Sequence, residues 1–180
     1  FQIVPNLATY FGKAAGLGDI GMLCNPAPLQ IGNYVCLDTD KDGVQDANEK
    51  PLSNVTVTLW KNNVKIATIV TNAAGEYYFS DKNAAGVTWT GSGADTTLVP
   101  NTNYQIKIYR KQPVLDTTSL TTANSIINAG NDLNDSDASM VGDTAVIGLT
   151  TGAAGSVNHT YDFGFFACVN AITLTTQPAG

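Results

Sequence analysis

The sequence predicts an all-β chain whose strands, about seven in number, fold as a two-sheet sandwich. Three observations carry that expectation. Apolar and polar residues alternate with a period of two in several short runs, most cleanly in VTVTLW (55–60) and NYQIKIYR (103–110). The connections are rich in Thr, Asn and Gly, and NAAG (72–75) reads as a hairpin turn between two such runs. The acidic stretch DTDKDGVQDANE (38–49) is flanked by IGNYVCL and PLSNVTVTLW, neither of which has a helical pattern.

Taken in order, residues 1–30 have a different texture and end in NPAP (25–28), whose prolines favour an extended linker. IGNYVCL (31–37) is the first strand. In 55–60, Val55, Val57 and Leu59 share one face and Thr56, Thr58 and Trp60 the other. VKIATIV (64–70) and EYYF (76–79) follow around the NAAG turn. In 103–110, Tyr104, Ile106 and Ile108 oppose Gln105, Lys107 and Tyr109, and TAVIGL (144–149) and HTYDFGFF (159–166) complete the set. Two connections are long, 80–102 and 111–139, and such loops are usually functional or ordered by something bound to them. Trp89, in the first of them, is expected as a lid on the sandwich ahead of a ligand contact. ACVNAITLTTQPAG reads as the beginning of another β element cut short.

Charge narrows the partners. The net charge is −6 and the nine Lys and Arg residues are scattered, so the chain lacks the basic footprint that phosphate backbones require. Five of the fifteen acids, Asp38, Asp40, Asp42, Asp46 and Glu49, crowd into one stretch, and Asp132, Asp135 and Asp137 form a second knot. Such crowding costs repulsion unless a cation neutralises it. No apolar run approaches the roughly 18 residues of a membrane helix, so no direct membrane insertion is expected. The start, FQIVPNLATY, lacks the pattern of a signal peptide, so either a signal was removed or this is an internal fragment, and the ending ACVNAITLTTQPAG favours the fragment. Cys24, Cys36 and Cys168 are too few for a disulfide scaffold; one disulfide with a free thiol and three unpaired thiols stay open.

Residues 38–49 fit the calcium loop of the EF-hand, with acids at positions 1, 3, 5 and 9, Gly at 6 and Glu at 12. Calcium takes six to eight hard oxygens at flexible distances, and acids on alternate residues turn towards one centre while Gly43 permits the sharp turn. The assignment is Asp38, Asp40 and Asp42 as carboxylate ligands, Val44 through its carbonyl, Asp46 directly or through water, and Glu49 as the bidentate ligand. Helices are not required for this, only two anchored ends, which strands can supply. GNDLNDSDAS (130–139) offers Asp132, Asn134, Asp135 and Asp137 without a full loop pattern.

IGNYV, DTDKDGVQDANEKPLSNVTVTLW, TNAAGEYYF, NDSDAS and the closing YDFGF together resemble the B-repeat domain of serine-aspartate-repeat surface proteins, in the wider family of collagen-adhesin B-type domains. The resemblance spans residues 31–166. It implies a calcium-binding, immunoglobulin-like β-sandwich on a bacterial surface, serving as a spacer or stalk between neighbouring β modules of the same polypeptide. It also supports a second calcium site at Asp132, Asn134, Asp135, Asp137 and Asp162. AAGLGDIGMLCNPAP resembles the tail of a preceding module in long bacterial surface proteins, so 1–30 is expected to be such a tail with its linker and 167–180 a linker or the start of a following β module. The chain departs from the family in carrying Cys36 where a Trp usually sits and in the length of 80–102. Some collagen-adhesin B-type domains carry a Lys to Asn isopeptide bond; with no Lys in 31–37 and no Asn in 159–166, none is expected here.

Catalytic patterns are absent. GLGDIG (16–21) is a literal GxGxxG, but Pro26 and Pro28 interrupt the helix that would present its amino end to a pyrophosphate. With His159 the single histidine, Glu49 and Glu76 the sole glutamates and no GxSxG, neither a nucleophile-base pair nor a glycosidase acid pair is legible. The expectation is a non-enzymatic, calcium-stabilised spacer of an extracellular surface or secreted protein, an adhesin or fibre. Its rivals are an adhesin module that recognises a host, cell-surface or filament partner through 80–102, and an accessory domain of a secreted enzyme.

Overall fold

A computed structural model of the chain describes residues 27–81, 84–125 and 132–168. The module tail and GLGDIG motif expected before residue 27, Cys24, and the β element expected after 168 lie outside the described residues. The strands are β1 (Gln30–Leu37), β2 (Lys50–Pro51), β3 (Thr56–Lys61), β4 (Val64–Val70), β5 (Glu76–Ser80), β6 (Thr88–Trp89), β7 (Asn103–Tyr109), β8 (Thr118–Leu120), β9 (Ser139–Val141), β10 (Thr144–Thr150), β11 (Val157–Asn158) and β12 (Phe163–Ala167). Short 3-10 turns at Gly93–Thr96 and Pro113–Leu115 are the helical pieces among the described residues, and none is long and apolar enough to cross a membrane.

Each of the seven runs read from the sequence holds a strand, and the five additional ones, β2, β6, β8, β9 and β11, are two or three residues long. The strand expected from residue 159 begins only at Phe163. Before it, the Asn158 side chain accepts the Thr160 N–H at 3.0 Å, a local bond that competes with ladder pairing.

The strands form two six-stranded sheets. One is antiparallel throughout, in the order β6-β4-β3-β7-β10-β9. Its inward residues are those that the alternation predicts: Val57, Leu59, Ile106 and Ile108 are fully buried, and Ala145, Ile147 and Leu149 join them from β10. The facing sheet is built around β1 and contributes Ile31, Val35, Tyr77, Phe79, Phe163 and Phe165 to the same core. Trp89 is half-buried and packs against this core, in the manner of a lid.

β1 pairs antiparallel with β5 and β2 but parallel with β11 and β12, in the register Val35 to Phe163 and Leu37 to Phe165. The chain therefore enters β1 at one end of the sandwich and leaves β12 at the other, about 30 Å away at about 3.3 Å per residue. The 38–49 loop lies at the exit end, where the Asp38 N–H donates to the Phe165 carbonyl at 2.8 Å.

Candidate metal centre

Asp38 follows the last residue of β1 and is 1% exposed. Its Oδ1 accepts the Lys41 N–H at 2.6 Å, and its Oδ2 accepts the Gly43 N–H at 3.0 Å and the Thr121 hydroxyl. The chain thus curls round this carboxylate. Lys41 and Gly43 take left-handed backbone, with φ of 69° and 82°. At Gly43 a Cβ would also come 2.5 Å from the Thr122 carbonyl oxygen, so both the turn and the contact demand glycine.

Asp38, Asp40 and Asp42 each place a carboxylate oxygen within 4.8 Å of the others. The Val44 carbonyl accepts no hydrogen bond among the described residues, whereas the Val44 N–H donates to Asp42 Oδ1 at 2.8 Å. Asp46 and Glu49 stand apart from the three-acid cluster. Glu49 ties the loop's ends: Oε1 accepts the Thr39 N–H at 2.5 Å and Oε2 the Asp46 N–H at 3.3 Å. Burial pushes the Glu49 carboxyl above its ordinary range, partly offset by these two amides.

The second acidic knot is laced to the first. Val44 forms an antiparallel bridge with Asp135, flanked by Gln45 N–H to the Asn134 carbonyl at 2.6 Å and Ser136 N–H to the Gly43 carbonyl at 3.0 Å. Ser125 adds a hydroxyl bond to the Asp42 carbonyl at 2.6 Å. Asp137 and Asp162 are paired through their backbones, and Asp137 Oδ2 also accepts the Asp162 N–H at 2.8 Å. Asp132 is exposed and Asn134 half-buried.

Three carboxylate oxygens here are buried without a donor in hydrogen-bonding geometry: Asp135 Oδ1 and both oxygens of Asp162. Burial, then the neighbouring Asp137 carboxylate, drives the Asp162 carboxyl up to about 8, with the Tyr34 amide only a partial offset. Burial likewise lifts Asp137 to about 7. Asp38, Asp135 and Asp162 line one hollow of about 10 Å³, room for about one water-sized sphere. Orphaned buried oxygens around a small hollow, with no Lys or Arg among its lining residues, are the donor set that a hard cation satisfies.

Thr121 and Ser125, which secure Asp38 and Asp42, have no precedent in the sequence reading: each lies 83 residues from its partner in a loop without a motif. Cys36 is buried beside the acids with its thiol pushed up by burial, and Cys168 is exposed; both are unpaired.

Residues 29–90 match the family model of the SdrD B-like domain. Colossin-B of Dictyostelium discoideum is 42% identical over 71 residues, which is 38% of this chain and 2% of that protein. Bone sialoprotein-binding protein of Staphylococcus aureus (strain MRSA252) is 38% identical over 116 residues, 63% of this chain and 9% of that protein. Serine-aspartate repeat-containing protein D of Staphylococcus aureus (strain Newman) is 50% identical over 54 residues, 29% of this chain and 4% of that protein. The chain spans less than a tenth of the length of these relatives.

Proposed function

We propose that this chain, whose residues 29–90 match the SdrD B-like domain, is a calcium-stabilised structural spacer of a bacterial surface or secreted protein, as the likeness to serine-aspartate-repeat proteins supports. One observation carries the spacer reading: the parallel pairing of β1 with β12 puts the incoming and outgoing chain at opposite ends of the sandwich. A module so built adds its length to a string of modules instead of folding the string back. In this reading residues 31–166 are the module, 1–30 and 167–180 lead to its neighbours, and it performs no catalysis.

Calcium stiffens the outgoing end. Asp38, Asp40 and Asp42 with the Val44 carbonyl hold one ion, and Asp46 and Glu49 complete its shell by a modest turn of the loop. A second ion draws on Asp132, Asn134, Asp135, Asp137 and Asp162. The buried, donorless oxygens of Asp135 and Asp162 support it. Both sites grip elements that flank β12, so ion binding stiffens the point where the chain departs. The 80–102 loop is a weaker basis for ligand recognition, because Trp89 is committed to the core and Lys61 pairs with Asp95 at 2.7 Å.

Binding to the folded state alone contributes RT ln(1 + [L]/Kd), about 2.7 kcal/mol when calcium is at about 100 times Kd. For a domain of this size that corresponds to about 5–10 °C in melting temperature. Calorimetry of the chain in millimolar calcium and in chelator is expected to show that difference, with new protease cleavage in 38–49 in chelator. Superimposable unfolding profiles would reject calcium as a stabiliser.

A further inference from the structure

The outer face of the antiparallel sheet carries a trough that shares no lining residue with the hollow among the acidic loops. β7 at Asn103 and Gln105 forms its floor; Trp60 and the Asn62–Asn63 turn form one wall, and Gly148 to Thr150 the other. It is an open, mainly polar trough with a volume of about 540 Å³.

Gly148 is the first clue. It lies in the middle of β10, opposite Gln105, and a Cβ built there would meet nothing within 4 Å. Neither packing nor a left-handed backbone requires glycine at this position, and glycine weakens a strand interior. A strand-interior glycine serves a bulge, a tight bend or the close approach of a ligand or another backbone; β10 pairs with β7 in unbroken register through Gly148, so a bulge is not the reason for it.

The chemistry of the lining says which molecule. The amides of Asn62, Asn63 and Gln105 have no side-chain hydrogen bond among the described residues. Thr150 donates to Asn103 Oδ1 at 2.7 Å, which orients the Asn103 NH2 group as a further donor. No charged residue lines the trough. The Trp60 indole is fixed by its N–H bond to Thr58 at 2.9 Å and by the Lys107 ammonium 4.4 Å from its ring centroid. β7 is hydrogen-bonded to β3 on one side and β10 on the other, so there is no strand edge here for a peptide to extend.

We propose that this trough binds a neutral oligosaccharide, with a sugar ring against Trp60, its hydroxyls exchanging hydrogen bonds with Asn62, Asn63 and Gln105, and the chain passing over Gly148. Primary amides and hydroxyls both donate and accept, so each can satisfy the other without a net charge on either side. The apolar face of a pyranose complements the indole as an aromatic neighbour would.

The test is isothermal calorimetry of the 180-residue chain with the hexasaccharides of cellulose, xylan, mannan and chitin, and with sialyllactose as an acidic arm. At least one neutral hexasaccharide is expected to bind, and Gly148→Val is expected to weaken it about tenfold or more with an unchanged melting profile. The valine has room in the fold but fills the trough. Gln105→Ala, which adds no bulk, is expected to weaken the same ligand and carries the comparison if Gly148→Val alters folding. Lack of binding by every neutral hexasaccharide at millimolar concentration, binding of sialyllactose alone, or affinities unchanged in both variants would each overturn the proposal.

Discussion

In the antiparallel sheet the inward positions of β3, β7 and β10 are apolar, whereas at the exit end of β1 the buried positions include three carboxylates: Asp38 is 1%, Asp162 4% and Asp135 7% exposed. The first region needs nothing from outside, because burial of Leu59, Ile106 and their neighbours is favourable in any solvent condition that keeps water a poor solvent for hydrocarbon. The second is conditional. Removing carboxylates from water is costly unless a proton or a cation accompanies them. The domain therefore joins a scaffold of fixed stability to an end whose stability the surroundings can set.

The largest expected effect breaks the scaffold without touching that conditional end. Ile106 is fully buried in the centre of β7, and Ile106→Ala removes methylene groups from a site with neighbours on all sides. Urea denaturation is expected to show a loss of about 2–5 kcal/mol. The loss should be equal in calcium and in chelator. A loss that depended on calcium would mean that the two regions are not separable.

Asp162→Asn works in the opposite sense in the two conditions. In chelator at neutral pH the folded chain must keep a proton on the buried Asp162, which faces Asp137, while the unfolded chain has released it; asparagine removes that cost, so the variant is expected to be more stable than the parent by about 1–3 kcal/mol. In calcium it removes a ligand, and the variant is expected to be the less stable of the two. The crossing of the two denaturation series is the readout; a change of the same sign in both would assign Asp162 to packing instead of ion binding.

The same contrast governs what could be read from the sequence. The period-two runs of β3 and β7 announce their inward faces because each residue's environment is decided by its own strand. The DxDxDG spacing of 38–43 is equally local, and the three carboxylates it groups do converge. Two- and three-residue strands such as β2, β6 and β11 leave no periodicity to detect, since alternation needs more residues than they have. The parallel pairing of β1 with β12 and the bridge from Val44 to Asp135 join segments distant along the chain, with no turn residue to mark them. So each acidic group was legible by itself, and the meeting of Asp38 from the first with Asp135 and Asp162 from the second around one hollow was not.

Glu49→Gln sharpens the account of the loop itself. Glu49 holds the Thr39 and Asp46 amides, and a glutamine keeps one acceptor oxygen while losing the charge that would close a calcium shell. It is expected to cost about 1–2 kcal/mol in calcium and less in chelator, while Asp116→Asn, outside both knots in sequence, stays within about 0.5 kcal/mol in either. Differential scanning calorimetry of the two variants side by side would reveal this; equal behaviour would remove Glu49 from the ligand set.

The smallest expected effect is the dependence of the calcium gain on pH. In the ion-free fold Asp137 titrates at about 7 and Asp162 at about 8, against an ordinary value of 3.8. Folded protein then holds protons that the unfolded chain has already released, so the contribution of these groups to stability falls as pH rises from about 4 to about 8. Calcium must displace the same protons, and it does so more readily when they are already leaving. The stability difference between calcium and chelator is therefore expected to grow between about pH 5.5 and pH 8.5, by on the order of 1 kcal/mol, with most of the growth above about pH 6.5. Asp162→Asn should flatten the upper part of that rise, because it deletes the group with the higher value. A calcium gain that stays level across the range, or that shrinks as pH rises, would show that the ion does not reach Asp137 and Asp162, and would confine it to the 38–49 loop.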